Sequence, residues 1–472
     1  MIRQVSSYMT ANVVSAMFGF ASVVLFTRVL SPHEYGIYII GFSISAMIST
    51  VLFGWVKASV VRITAEEGAL DLRLTTAYAS LALMVLIPVF MEGARFFLPD
   101  ASEYLLPAIV LGFAIGSFEF YLEIFRARQQ TSFYMWSTIA RAALALAIAC
   151  VLVIALDLGG RGLLLSVALS YILTMLLYAR PLWQRPLHPF DMSILKEMLH
   201  FGLPMTISGA VFMLAATLDR LVVGAYLGEH AAGVYGASAD LVRQVILFPG
   251  VAIGSAVVPI AIRLMTQGNP EALDRHMTDS MELLLAVLAP ATAGMAIIAA
   301  KLANLILGPE FHEAASMLIP IIVFAWLLRS VSYQFVHVSF QLNKKPVLMG
   351  IQGVTILASN VACMALLIPR YQVIGAAWAM LISEAAGVVV GYMLSRRAYR
   401  LPFDIRGIAR VAAATAIMAL PTYLIDRHFA DDGLVNLVLP VVAGMVLYAL
   451  AAFALNVAGI RNRMKLRLPA EA

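Results

Sequence analysis

The chain has 472 residues, of which 62% are hydrophobic and only 12% charged, with a formal net charge of +5 at pH 7. A soluble domain carries roughly 25% charged residues, so the composition excludes one. The two cysteines, Cys150 and Cys363, lie within apolar runs and read as small core residues, with no disulfide or metal set.

Fourteen apolar runs follow one another along the chain: about 8–28, 35–60, 77–98, 104–125, 131–156, 162–180, 201–227, 233–262, 281–308, 314–341, 346–369, 374–395, 407–425 and 434–458. Each suffices to cross much or all of a hydrocarbon layer of roughly 30 Å at about 1.5 Å of rise per residue. The expected class is therefore an all-α polytopic membrane protein with 14 transmembrane helices, because helices satisfy their own backbone groups in lipid. The first run is too long for a signal-peptide core, no small-residue cleavage site follows it, and it reads as an uncleaved first span.

Basic residues set the expected direction. With the N-terminus in the cytoplasm, 20 of the 32 Lys and Arg fall in one set of loops and tails and six in the other, leaving six within or near spans. That is a strong positive-inside bias, placing both termini in the cytoplasm. The basic surplus is topogenic and gives no reason to expect a nucleic-acid partner. The longest loops, about 181–200 and 263–280, hold apolar residues among charges, such as Ile194, Leu195 and Met198, and are expected to lie as amphipathic segments in the membrane interface.

Two hairpins echo each other. RVLSPHEYGIYIIG (28–41) and AYLGEHAAGVYGAS (225–238) align with a shift of 197, so that Leu30, His33, Gly36 and Tyr38 fall on Leu227, His230, Gly233 and Tyr235. A second echo pairs Gly162, after span 5, with Gly375, after span 11. Spans 1–6 and 7–12 then read as two copies of one six-helix unit, and the even number gives both the same orientation, a parallel repeat. The expected domains are a lobe over 1–190, a lobe over 191–400, and two additional helices with a basic tail over 401–472. A generic interfacial hairpin, with Gly for the turn and Tyr in the aromatic belt, is the plainer explanation of the first echo.

Ionisable residues within spans cost roughly 2.5–3.5 kcal/mol each on insertion scales, so each needs a partner or water. Arg141 lies about ten residues into span 5, and Arg329 near the middle of span 10. Both read as cations facing a hydrated cavity, the alternative being burial against a helix carbonyl or a neighbouring carboxylate. Asp219 and Arg220 on span 7 match Asp240 and Arg243 on span 8 in depth. Either they clamp the hairpin, Arg220 to Asp240 or Asp219 to Arg243, or one arginine faces the cavity while one aspartate titrates. Glu123 reads as a partner of Arg126 or Arg128. Glu119 and Glu384 are, with Asp219 and Asp240, candidates to carry a coupling proton or sodium ion. Lys57 reads as a snorkelling side chain or a fifth cation. A cavity with several arginines suits a pyrophosphate, which guanidinium groups bind with paired donors.

RVLSPHEYGIY after span 1, FRARQQTSFY before span 5, LDRLVVGAYLGEHAAGVYGAS across spans 7–8, and LNKKPVLMGIQG with LIPRYQVIGAAWAMLIS across spans 11–12 resemble the bacterial polysaccharide-transport proteins. These are the O-antigen and exopolysaccharide flippases of the Wzx type, in the superfamily that also holds MATE exporters and the lipid II flippase. The resemblance implies a V-shaped pair of six-helix lobes in the bacterial inner membrane. It implies cargo too: an undecaprenyl-pyrophosphate-linked oligosaccharide moved from the cytoplasmic to the periplasmic leaflet. Partners would be that lipid-linked oligosaccharide, membrane lipids, polysaccharide polymerase and export proteins, and a proton or sodium gradient.

No Walker lysine loop, His-Glu-x-x-His, Gly-x-Ser-x-Gly or Asp-x-Asp motif occurs, so no cofactor, metal or catalytic residue is predicted. Two other functions compete: a MATE-like ion-coupled exporter of small molecules, and a membrane enzyme of polysaccharide assembly. The short loops on the outer side count against the enzyme.

Overall fold

The computed structural model describes residues 2–67, 73–85, 87–88, 92, 102–128, 130–183, 189–429 and 433–461. They are helical almost throughout, with no strand among them. In chain order the helices are α1 (Ile2–Val29), α2 (Pro32–Glu67), α3 (Arg73–Met84), α4 (Ser102–Ala127), α5 (Thr131–Ala149, continued by a π-helical turn Cys150–Ala155) and α6 (Gly159–Trp183). The next helical stretch, Met192–Thr266, breaks at Gly228 (φ 82°, ψ 176°) into α7 (192–227) and α8 (229–266). Then come α9 (Pro270–Ile297), α10 (Ala299–Ile306), α11 (His312–Val331), a π-helical turn (Ser332–Val336) and α12 (His337–Leu342). Pro346–Ser395 breaks at Gln372 (φ 48°, ψ −129°) into α13 (346–371) and α14 (373–395), before α15 (Ile405–His428) and α16 (Leu434–Ala454).

Among the described residues, eleven helical stretches are long and apolar enough to cross a membrane. Two of these are the stretches that Gly228 and Gln372 each divide in two. The third expected span, 77–98, is helical over Arg73–Met84, and most of its remainder lies outside the described residues. The count of fourteen is therefore not established, while the all-helical polytopic class stands.

The chain falls into two compact units, Met1–Gly236 and Ala237–Ala472, with the division inside α8. In the first, α2 packs along α4, while α5 lies against α1 and α6. Phe53 and Phe113 meet edge to face at 5.5 Å, a ring geometry with opposed partial charges. Ser45 Oγ on α2 bonds the Ala108 carbonyl of α4 at 2.8 Å, a polar link of the kind that holds helices together where no hydrophobic force acts between them. In the second unit α11 packs on the stretch Pro346–Ser395, α15 on α16, and α9 on both α11 and α15. Large apolar side chains such as Leu176, Ile207, Val435 and Met445 are exposed, as lipid-facing positions require.

One expectation is corrected here. Met198 is fully buried in a core cluster with Trp55, Val56, Phe120 and Phe125, and Ile194, Leu195 and Leu199 pack against it. The apolar face of that amphipathic segment packs on protein where lipid was expected, and the segment forms the start of α7. Ser59 Oγ fixes it by bonding the Met198 carbonyl at 2.7 Å.

Candidate functional site

The ionisable residues inside the helical bundle differ sharply in their company. In the first unit Arg141, on α5, sits with its guanidinium carbon 4.8 Å from the centre of the Tyr171 ring on α6. Tyr171 is in turn edge-on to Phe118 of α4 at 5.2 Å. Among the described residues no carboxylate lies within ion-pair distance of Arg141. A cation on an aromatic face keeps most of its charge available.

Lys57 Nζ lies 2.9 Å from Glu119 Oε2, joining α2 to α4, with side chains 40% and 33% exposed. Charges so exposed, so far along two apolar helices, require water or headgroups beside them. Sequence alone treats the two separately; the fold brings them together. One turn further on, Arg126 donates to both oxygens of Glu123 at 3.1 and 3.3 Å, the expected partnership.

Asp219 is buried, and both its oxygens are used. The Arg220 backbone N–H donates to Oδ1 at 2.9 Å and the fully buried Tyr235 hydroxyl to Oδ2 at 2.7 Å. Arg220 is buried beside it. In the second unit Arg243 Nε is 3.7 Å from Asp240 Oδ1, one turn away on α8; the arginine is 42% exposed and the aspartate nearly buried.

Among the described residues Arg329 and Glu384 form the most buried ion pair. Nε donates to Oε1 at 2.7 Å, with the side chains 7% and 2% exposed. Of the two sequence readings of Arg329, the geometry displays the neighbouring carboxylate, together with the Trp326 ring 5.0 Å away. Around the pair runs a polar ladder that sequence reading missed. Gln352 Nε2 donates to the Gly387 carbonyl at 2.9 Å and to Ser332 Oγ at 3.3 Å, and Asn360 Nδ2 to Ser383 Oγ at 3.2 Å. The signal was present: 352, 356 and 360 share one face of a mostly apolar helix, and two of the three are polar.

The second unit also has an apolar groove of about 430 Å³ between α9, α15 and α16, lined by Pro290, Gly294, Met295, Met418, Gly444 and Met445 among others. Polar groups at its wall are satisfied: Tyr448 donates to the Ala286 carbonyl and Thr422 to the Met418 carbonyl. A groove of this lining accepts hydrocarbon. Among the described residues no set of three His, Cys, Asp or Glu is placed to hold a metal ion.

No curated protein matches the chain. Solved structures do match. One described as the lipid II flippase MurJ in an inward closed conformation superposes with a TM-score of 0.78 at 15% identity, covering 94% of this chain and 98% of that one. An inward-facing multidrug resistance MATE transporter of the MOP superfamily gives 0.66 at 17%, over 83% and 97%. A MOP transporter from Pyrococcus furiosus, described with a binding pocket of reversed polarity, gives 0.60 at 18%, over 84% and 94%. At such identities the likeness shows a shared MATE and MurJ-like fold. A family model of polysaccharide biosynthesis proteins matches residues 25–316, more than half of the length, and the chain belongs to that family.

Proposed function

We propose that the protein is a flippase that moves an undecaprenyl-pyrophosphate-linked oligosaccharide from the cytoplasmic to the periplasmic leaflet of a bacterial inner membrane by alternating access. Arg141 carries this reading. It is a cation about ten residues into a span, roughly 15 Å deep, with an aromatic ring and, among the described residues, no carboxylate for company. Such a group needs an anion or water, and a pyrophosphate passing through supplies the anion. Arg243, partly exposed beside Asp240, and Lys57 are further cations for the same cargo, and Arg220 is a fourth. Arg329, neutralised by Glu384, serves the cargo only if that pair opens; Glu384, Glu119, Asp219 and Asp240 remain the coupling candidates for a proton or sodium ion. The groove along α15 and α16 fits the polyprenyl tail.

The test is export in cells carrying Arg141→Ala, read as accumulation of a lipid-linked glycan on the cytoplasmic side with normal protein levels. Unchanged export removes Arg141 from the path. A MATE-like exporter of small cations is the competing reading, favoured by the fold alone; altered drug susceptibility without glycan accumulation would establish it. A cysteine at exposed position 230 should label from outside and one at 345 only from inside.

A further inference from the structure

Residues 396–404 join α14 to α15 along one end of the second unit, and three side-chain bonds fasten them. Ser339 Oγ donates to the Tyr399 carbonyl, the Tyr399 hydroxyl to Asp274 Oδ1, and Lys345 Nζ to the Arg397 carbonyl at 2.6 Å. The last bond ties the turn after α12 to the strap. Six exposed cations collect there: Lys344, Lys345, Arg396, Arg397, Arg400 and Arg406. Among the described residues none has a carboxylate within ion-pair distance. Two nearby acids are engaged elsewhere, Asp274 by Tyr399 and Asp404 by the Arg406 backbone N–H, which it caps at 3.0 Å.

Six exposed cations without an ion-pair partner among the described residues make a positive surface that favours an external anion. Apolar side chains on the strap and on the helices flanking it say which kind. Met393, Phe403, Ile405 and Val347 are 58%, 58%, 67% and 73% exposed beside the cations. An acidic soluble partner covers charge and leaves these in water. A phospholipid at the boundary between headgroups and hydrocarbon covers both. We propose that the strap is a binding site for the phosphate of an anionic phospholipid, with its acyl chains against Phe403 and Ile405. None of the strap residues is among the cargo or coupling candidates, and the site does not depend on the direction of transport.

The experiment measures phosphatidylglycerol binding to the full-length protein in detergent, by native mass spectrometry and by the shift in melting temperature, with phosphatidylcholine as reference. Wild type should bind and be stabilised by phosphatidylglycerol selectively, and the shift should shrink with salt. Arg396→Gln/Arg397→Gln/Arg400→Gln should weaken binding on the order of a hundredfold, at about fivefold per cation. Arg400→Gln alone, expected to lose about fivefold, serves if the triple variant misfolds. Unchanged affinity in these variants overturns the proposal. So does an equal loss in Lys196→Gln/Arg263→Gln/Arg461→Gln, exposed cations outside the strap, since that marks a diffuse charge effect. Equal stabilisation by glycerol phosphate marks a free-phosphate site, and equal binding of polyglutamate a protein site; either outcome also overturns it.

Discussion

A Cβ atom on Gly233 would lie 2.8 Å from the Gly36 amide nitrogen, so the matching glycines of the two echoed hairpins touch each other. The contact is reciprocal. Gly36 abuts the Glu229 carbonyl, Gly233 abuts the Pro32 carbonyl, and the same shift of 197 carries Pro32 to Glu229 and Gly36 to Gly233. Ile39 meets Gly236, its own counterpart. Reciprocity of this kind is what an internal two-fold relation produces, and a generic hairpin turn does not.

Gly36→Ala and Gly233→Ala would put a methyl 1.8 and 1.9 Å from backbone carbonyl oxygens, where no side chain can give way. Each should cost about 1–3 kcal/mol or more and lower the melting temperature. Gly350→Ala meets nothing within 4 Å in a helix and should gain up to about 1 kcal/mol. Gly228→Ala also meets open space but sits at φ 82°, so it should lose about 1 kcal/mol from backbone strain. Thermal stability of the four variants in one detergent checks the order.

Arg329 and Glu384 are a buried pair, and removing one partner strands the other. Arg329→Met should destabilise by about 3–5 kcal/mol, seen as low yield of folded protein. No donor among the described residues reaches the second Glu384 oxygen, so the pair is incompletely satisfied. Arg329→Met/Glu384→Met should therefore recover most of the stability. Export by that double variant separates a packing role, in which it works, from a coupling role, in which it fails.

How much of this was readable beforehand depends on distance along the chain. Helix class, the hairpin glycines and the Glu123–Arg126 pair are local, with partners three or four residues apart or repeating at a fixed shift. Arg329 and Glu384 are 55 residues apart and meet only because α11 packs on Pro346–Ser395. Periodicity placed an apolar face on Ile194, Leu195 and Met198, yet lipid and protein core satisfy such a face equally, so the sequence left its partner open. The break at Gln372 falls between the runs 346–369 and 374–395, where one was expected, but its left-handed backbone had no signal, since glutamine has no preference for φ 48°.

Lys57 and Glu119 are joined at 2.9 Å but well exposed, and solvent screening limits what their attraction adds. Lys57→Gln should change stability by no more than about 1 kcal/mol. The exchanged pair Lys57→Glu/Glu119→Lys should melt near wild type, whereas either charge reversal alone places two like charges together and should melt lower. Equal melting temperatures for all three variants would mean that the two side chains do not meet.

Tyr399 offers a pH-dependent check on the strap outside the membrane-spanning segments. Its phenol is pushed above the ordinary tyrosine value, chiefly by burial and further by the bond to Asp274, so folding favours the neutral form. A raised folded-state value means that the stabilisation is complete below the unfolded value, about 10, and is lost as the pH climbs beyond it toward the folded one. Tyr399→Phe removes the bond to Asp274 and should cost about 1 kcal/mol at pH 7. Wild type should therefore melt above Tyr399→Phe by a constant margin from pH 7 to 9, and the margin should close as the pH rises past about 10. A margin that widens with alkalinity would mean that Asp274 does not accept this proton in the folded protein.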